Sequence, residues 1–240
     1  MPTDSRKNPV ETLQEAAKSK TSAPGTQWHR TLLFWVLVFS ILMAFSTLTL
    51  VVETTPLLPI DLQITRAIQS IDALAVDLLM RLVSWPGFLP QSVIITLLIG
   101  FTLYVFGFRW EAIAALLTAL TSGVTNETMK YLIQRPRPAA DLVDVLEVLS
   151  SYSFPSGHVM FYVSLFGFVW YVVYIMLKRS LIRSLLLVSL GVLISLVGIS
   201  RIYLGQHWAS DVLGAYLLGG MILLGMILFH QWGKTRFFPE

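Results

Sequence analysis

Six stretches of this chain are apolar for long enough to cross a lipid bilayer, and that constrains everything else about it. Hydrocarbon offers a backbone no water to bond, so a crossing segment must satisfy its own N–H and C=O groups. An α-helix does so in roughly 20 residues, at about 1.5 Å of rise each. The stretches run from Leu32 to Val52, Leu89 to Phe106, Ala112 to Tyr131, Gly157 to Leu177, Leu181 to Ser200, and Trp208 to Phe229. Charged residues make up 13% of the chain, about half the share usual in a soluble domain. The expected fold is therefore all-α: a bundle of six transmembrane helices over residues 29–233. No internal repeat or second domain is evident.

Residues 1–28 are polar, with Lys7, Lys18, Lys20, Pro24 and Gly25, and read as a flexible cytoplasmic tail rather than a cleaved leader. Residues 234–240 read as a second, short cytoplasmic tail. Between the first two spans, Ile60, Ile64, Ile68, Ile71, Leu74 and Leu78 recur at steps of three or four, opposite Asp61, Arg66, Asp72 and Asp77. This amphipathic spacing predicts a segment lying along the extracytoplasmic membrane surface. The stretch from Gln134 to Pro155, with Pro136, Pro138, Asp141, Asp144 and Glu147, reads as a loop; its acidic residues suit a solvated surface better than a metal site.

Positive charge sets the orientation, because cytoplasmic segments are enriched in Lys and Arg. With the N-terminus inside, eleven of the seventeen basic residues fall on the inner side. The six on the outer side are Arg66, Arg81, Lys130, Arg135, Arg137 and Arg201. Net charge is +3, with no basic stripe away from the membrane ends, so nucleic acid is not an expected partner. The absence of cysteine excludes disulfides, thiolate nucleophiles and cysteine zinc sites.

Three segments place polar groups at the outer ends of spans: Lys130 to Pro138, Phe154 to His158, and Ser200 to Asp211. Together they suit a tetrahedral oxyanion. Lys130, Arg137 and Arg201 offer cationic donors, and Arg can bind two oxygens at once. Ser156 and the Gly157 amide stand where a helix begins, and free N–H groups there favour an anion. His207 and Asp211 are four apart, so a helix would bring both onto one face, with the carboxylate fixing the imidazole tautomer and leaving Nε2 as a nucleophile. His158 can then serve as general acid and base. The expected chemistry is in-line displacement at phosphorus through a phosphohistidine on His207.

The pattern Lys-x6-Arg-Pro, then Pro-Ser-Gly-His, then Ser-Arg-x5-His-x3-Asp resembles the three-part signature of the type 2 phosphatidic acid phosphatase superfamily. Lys130, Arg137 and Pro138 match its first part, Pro155 to His158 its second, and Ser200, Arg201, His207 and Asp211 its third. Arg135 lies in the variable stretch of the first part and inherits no role. The resemblance implies an integral protein of the plasma or inner membrane that removes phosphate from a lipid phosphate or pyrophosphate, with no metal or other cofactor. In that reading His207, His158 and Asp211 are catalytic, and Lys130, Arg137, Ser156, Gly157 and Arg201 bind phosphate. Transfer to a second lipid or sugar, vanadate-dependent halide oxidation and non-catalytic lipid transport are the competing expectations. Oligomeric state is not legible.

Other residues take blander readings. His29 and His230, at the inner ends of the first and last spans, read as anchors or solvated groups. Glu127 reads as a partner of Lys130, the tryptophans near span ends as an aromatic belt, and Gly214, Gly219 and Gly220 as permitting close helix packing.

Overall fold

A computed structural model describes residues 24–146 and 149–237. Most of the expected N-terminal tail, Glu147, and the last three residues of the expected C-terminal tail lie outside the described residues. The described elements are helical: α1 (Pro24–Thr54), α2 (Pro59–Gln69), α3 (Leu74–Ser84), α4 (Gln91–Val105), α5 (Arg109–Ile133), α6 (Gly157–Met176), α7 (Leu181–Tyr203) and α8 (Ala209–Phe237). The chain divides into two compact units, one ending at Ile41 and one beginning at Leu42. The first holds the N-terminal part of α1, with Trp28, Leu33, Trp35 and Phe39 exposed, as suits lipid contact. Everything below concerns the second unit.

Among the described residues, four helices are long and apolar enough to cross a membrane: Thr31–Thr54, Gly157–Met176, Leu181–Tyr203 and Ala209–Phe237. A fifth crossing results if α3 with its following turn, Leu74–Gly87, and α4 are read as one element bent by 62°. The expected second span is only 15 residues long as α4, short of the roughly 20 that a crossing needs. Pro86 and Pro90 lie at the bend, where a missing N–H and ring clashes stop a straight helix. The expected third span, α5, is 25 residues long but polar along one face. Thr118, Ser122, Asn126 and Lys130 recur every four residues and are all buried, so this helix turns its polar stripe inward.

The segment between the first two expected spans departs from a simple surface helix. It forms two helices whose polar groups are partly taken inward: Asp61 is 0% exposed. The Ser200 hydroxyl donates to the Met80 carbonyl at 2.8 Å, and the Tyr162 hydroxyl to that of Val83 at 2.5 Å. The Val83 carbonyl belongs to the last turn of α3, where it lacks a helical partner. The reason is tertiary: the bundle supplies donors that spacing alone cannot reveal.

Two glycine contacts show how closely α8 is packed. A Cβ on Gly214 would lie 2.5 Å from the Phe154 ring, and one on Gly219 3.2 Å from Val163. Gly220, expected to act likewise, faces open space. Phe154 also stacks on Phe45 of α1 at 6.0 Å, so this ring is wedged between α1 and α8.

His230 is the clearest correction away from the outer motifs. Instead of being solvated it is 1% exposed. Its Nε2 lies 3.1 Å from Glu111 Oε1, the same oxygen that Lys234 Nζ reaches at 2.7 Å. Helix α8 continues to Phe237, beyond the apolar run, so His230 and Lys234 share a face and meet the start of α5. His29 is exposed, as expected.

Gly205, in the turn from α7 to α8, has φ of +66° and its missing Cβ would collide with the Asp144 carbonyl oxygen. Gly205→Ala combines left-handed strain of about 1–2 kcal/mol with a backbone clash. The expected outcome is a Tm lower by roughly 4 °C or more in detergent-solubilised thermal unfolding.

Candidate active site

The three polar segments meet because each is tied to the next through the backbone. The Ser153 N–H donates to the Arg135 carbonyl at 2.9 Å, and the Ser153 hydroxyl to that of Pro136 at 3.0 Å, which fastens the second segment to the first. The Ser156 N–H donates to the Asp211 carbonyl at 3.3 Å, fastening the second to the third. Asn126 adds a further tie, donating to the Pro155 carbonyl at 2.9 Å.

His207 and Asp211 come together, although not by sharing a helical face. Helix α8 begins at Ala209, so His207 stands in the turn before it. Asp211 lies in the first turn and accepts the backbone N–H of Trp208 on Oδ2 at 2.9 Å, the reach-back half of a capping box. The same oxygen lies 3.5 Å from His207 Nδ1. Across the ring, Nε2 is 3.3 Å from Arg137 Nη1.

The expected anion ligands are present around this pair in different states of engagement. Arg137 donates to the Ser151 carbonyl at 2.7 Å, the Ser151 hydroxyl at 2.9 Å and the Gln206 carbonyl at 2.6 Å. Its fork is thus fixed in place by the chain, with Nη1 at the edge of His207. Lys130 Nζ pairs with Glu127 at 2.9 Å, as expected from their spacing. Arg201 is fully buried, donates to the Ser84 hydroxyl at 2.5 Å, and stacks over the Phe88 ring at 5.1 Å. The same ring meets His158 edge-on at 4.5 Å. Lys130, Arg137, Arg201 and His207 all act electrostatically on His158.

Ser156 Oγ and His158 Nε2 are buried without a hydrogen-bond partner. Such groups cost about 1–3 kcal/mol each when unsatisfied, so an occupant that bonds to them would be favoured. Gly157 stands at the N-terminus of α6, where a Cβ would approach Asn126 Oδ1 to 2.9 Å. A groove of about 730 Å³ runs from Gly157 and Asn126 between α4 and α5, lined by Leu89, Val93, Leu97, Leu116 and Leu120. Its wall is mostly apolar, with Asn126 and Glu127 near the Gly157 end.

Four residues near this cluster escaped the sequence reading. Arg135 is 1% exposed and bonded on all three guanidinium nitrogens, to Pro56, Asp61, Ser210 and Asp211. Asp61 and Phe88 come from the connection before α4, whose position in space no local pattern encodes. Asn126 did leave a signal: an amide one turn before Lys130, in a stretch expected to cross the membrane.

The sequence profile of the PAP2 superfamily matches residues 110–235, which contain every one of the three segments. The chain belongs to the PAP2 superfamily. Phosphatidylglycerophosphatase B of Bacillus subtilis is 34% identical over 126 residues, 51% of this chain and 59% of that protein. Human dolichyldiphosphatase 1 is 31% identical over 132 residues, 51% of this chain and 53% of its own length. The matched region thus spans little more than half the length of these curated relatives. A crystal structure of a transmembrane PAP2-type phosphatidylglycerolphosphate phosphatase from Bacillus subtilis superposes with a TM-score of 0.72 at 27% identity, over 81% of this chain and 96% of the other. With its apolar helices and a transmembrane relative of the same fold, this PAP2 protein is an integral membrane protein.

Burial, and then the charges of Arg137, Arg201 and Lys130, hold the His207 imidazole well below its ordinary pKa of 6.5, against a smaller opposing pull from the Ser153 backbone. A lowered pKa means that the ring stays neutral as pH falls through 6.5 and gains its proton only at more acidic pH. In NMR of protein labelled with ¹⁵N-histidine, the His207 ring nitrogens should keep neutral-imidazole shifts from pH 7.5 to 6.0. A midpoint at or above 6.5 would contradict the electrostatic account.

Proposed function

We propose that this PAP2 protein is a membrane-embedded phosphatase that removes phosphate from a lipid phosphate or lipid pyrophosphate, through a phosphohistidine on His207. The observation that carries this reading is the convergence of the buried His207 and half-buried His158 imidazoles with Lys130, Arg137 and Arg201, beside an apolar groove that reaches Gly157. Cations crowded around the two imidazoles repel a metal ion and attract an oxyanion, so the proposed chemistry uses no metal. The named activities of the relatives, on phosphatidylglycerophosphate and on dolichyl diphosphate, belong to the same substrate class.

In the proposed cycle, the phosphate binds to Lys130, Arg137, Arg201, Ser156 Oγ and the Gly157 amide, while the lipid tail lies in the groove between α4 and α5. His207 Nε2 attacks phosphorus as the bond to the leaving oxygen breaks, and His158, protonated once the phosphate anion is bound beside it, delivers its proton to that oxygen and becomes neutral. Asp211 faces Nδ1 and stabilises the charge that develops on the ring. Water then attacks the phosphohistidine, His158 takes its proton, the P–N bond breaks and inorganic phosphate departs.

For topology we propose six crossings, counting α5 as one and the bent pair of α3 and α4 as another, with α2 at the extracytoplasmic face and both termini inside. Lys130 near the end of α5, Gly157 at the start of α6, Arg201 near the end of α7 and Asp211 at the start of α8 would then share the outer side. Arg109, Lys178, Arg179, Lys234 and Arg236 would be inside, as the distribution of positive charge favours.

The test is a panel of phosphatidic acid, phosphatidylglycerophosphate and a polyprenyl pyrophosphate, presented in detergent with EDTA. Wild type should release inorganic phosphate from at least one of them, and His207→Ala should be slower by about 10³-fold or more. Undiminished turnover by His207→Ala, or label passing to a lipid acceptor with no free phosphate, would refute the proposal. A second prediction comes from Gly87, where an added Cβ would overlap the His158 ring. Gly87→Ala should leave the helical circular dichroism unchanged and lower kcat about 100-fold, the cost of displacing a reacting group by about 1 Å.

A further inference from the structure

All three guanidinium nitrogens of Arg135 are hydrogen-bonded, and none of these contacts is to the proposed phosphate ligands. Nη1 donates to Asp211 Oδ1 and to Ser210 Oγ, at 2.5 and 2.7 Å. Nη2 donates to Asp61 Oδ2 at 2.8 Å, and Nε to the Pro56 carbonyl at 2.9 Å. Asp61 in turn receives the Ser210 backbone N–H on Oδ1 at 2.8 Å and the Ser210 hydroxyl on Oδ2 at 2.5 Å. Two carboxylates from distant parts of the chain are thus joined by one planar fork at the head of α8.

This geometry divides the two oxygens of Asp211 between two tasks. Oδ1 is taken by Arg135 and therefore cannot rotate toward the imidazole. Oδ2 is left facing Trp208 N–H at 2.9 Å and His207 Nδ1 at 3.5 Å. Asp61 fixes the other edge of the fork and, by bonding Ser210, fixes the helix turn on which Asp211 stands. A carboxylate held on one side only could swing between partners; one held on both cannot.

We propose that Arg135, clamped by Asp61, is a positioning residue for the reaction, holding Asp211 so that a single oxygen faces His207 and supplying the countercharge to that carboxylate. The role rests on the phosphatase reading for its effect on turnover, and on geometry alone for its effect on the His207 ring. The ring is faced by Asp211, Arg137, Arg201, Lys130 and His158. Removing Arg135 leaves the Asp211 charge less compensated, which favours the imidazolium, so the ring should gain its proton at higher pH.

Three variants test this. Arg135→Gln should raise the midpoint of the His207 ring titration by about one pH unit, and lower kcat by about 10- to 100-fold with KM changed less than about threefold. Arg135→Lys keeps the cation and loses the fork, so its midpoint should stay near wild type while kcat falls by a smaller factor. The double variant Asp61→Asn/Arg135→Gln removes one buried charge of each sign. It preserves the net charge of the cluster and supplies a folded protein should the single variant fail to fold; its midpoint should rise as for Arg135→Gln. An unmoved His207 midpoint in the glutamine variants overturns the proposal, even where kcat falls, and so does an equal shift in Arg135→Lys, which would mark a general loosening and not a lost countercharge. The NMR readout needs no substrate. Absence of turnover by wild type would therefore count against the phosphatase reading and leave the positioning role to be decided by the titration.

Discussion

Asp211 is a carboxylate with no exposed surface, placed where the outer motifs meet. A buried charge of this kind costs several kcal/mol unless it is paired and hydrogen-bonded. Much of the arrangement around it answers that requirement: the Arg135 fork, the Trp208 amide and the first turn of α8, whose dipole favours negative charge. Asp61 joins the same helix end from α2, so the connection that precedes α4 is fastened to the last helix through the arginine. The placement of the histidine beside Asp211 follows from these bonds.

The cations form a second layer with the opposite imbalance. Arg137 bonds to carbonyls and the Ser151 hydroxyl, Arg201 bonds to the Ser84 hydroxyl and stacks on Phe88, and Lys130 pairs with the largely exposed Glu127. Three positive groups close to two imidazoles favour an anion in the pocket. In the proposed function the apolar groove between α4 and α5 takes the hydrocarbon tail of that anion.

The end of the bundle away from this cluster is organised by a separate buried carboxylate. Glu111 at the start of α5 gathers His230 and Lys234 from α8, and Trp110 donates to the His230 carbonyl at 3.0 Å. Helices α5 and α8 are thus joined at this end by Glu111, while at the other the loop that follows α5 is joined to the head of α8 by Arg135 and Asp211. The two ties keep α8 in register with α5, which carries Lys130.

What the sequence determined by itself was whatever depends on local spacing. Runs of apolar residues set the helices α1, α6, α7 and α8 to within a few residues at most ends, because a backbone in hydrocarbon must close its own hydrogen bonds. The residues of the three motifs were legible as one cluster because adjacent helices alternate in direction and bring their like ends together. Glu127 with Lys130 was legible for the same local reason. Tertiary structure alone decided which polar groups are buried and by what. Asp61 on an amphipathic helix, Arg135 just before Pro136 and His230 near a chain end all carry patterns that suit exposed residues. Each is buried because a partner at least 74 positions away in sequence supplies the compensating charge. Spacing reports the face of a helix on which a residue lies; it carries no information about which distant charge that face will meet.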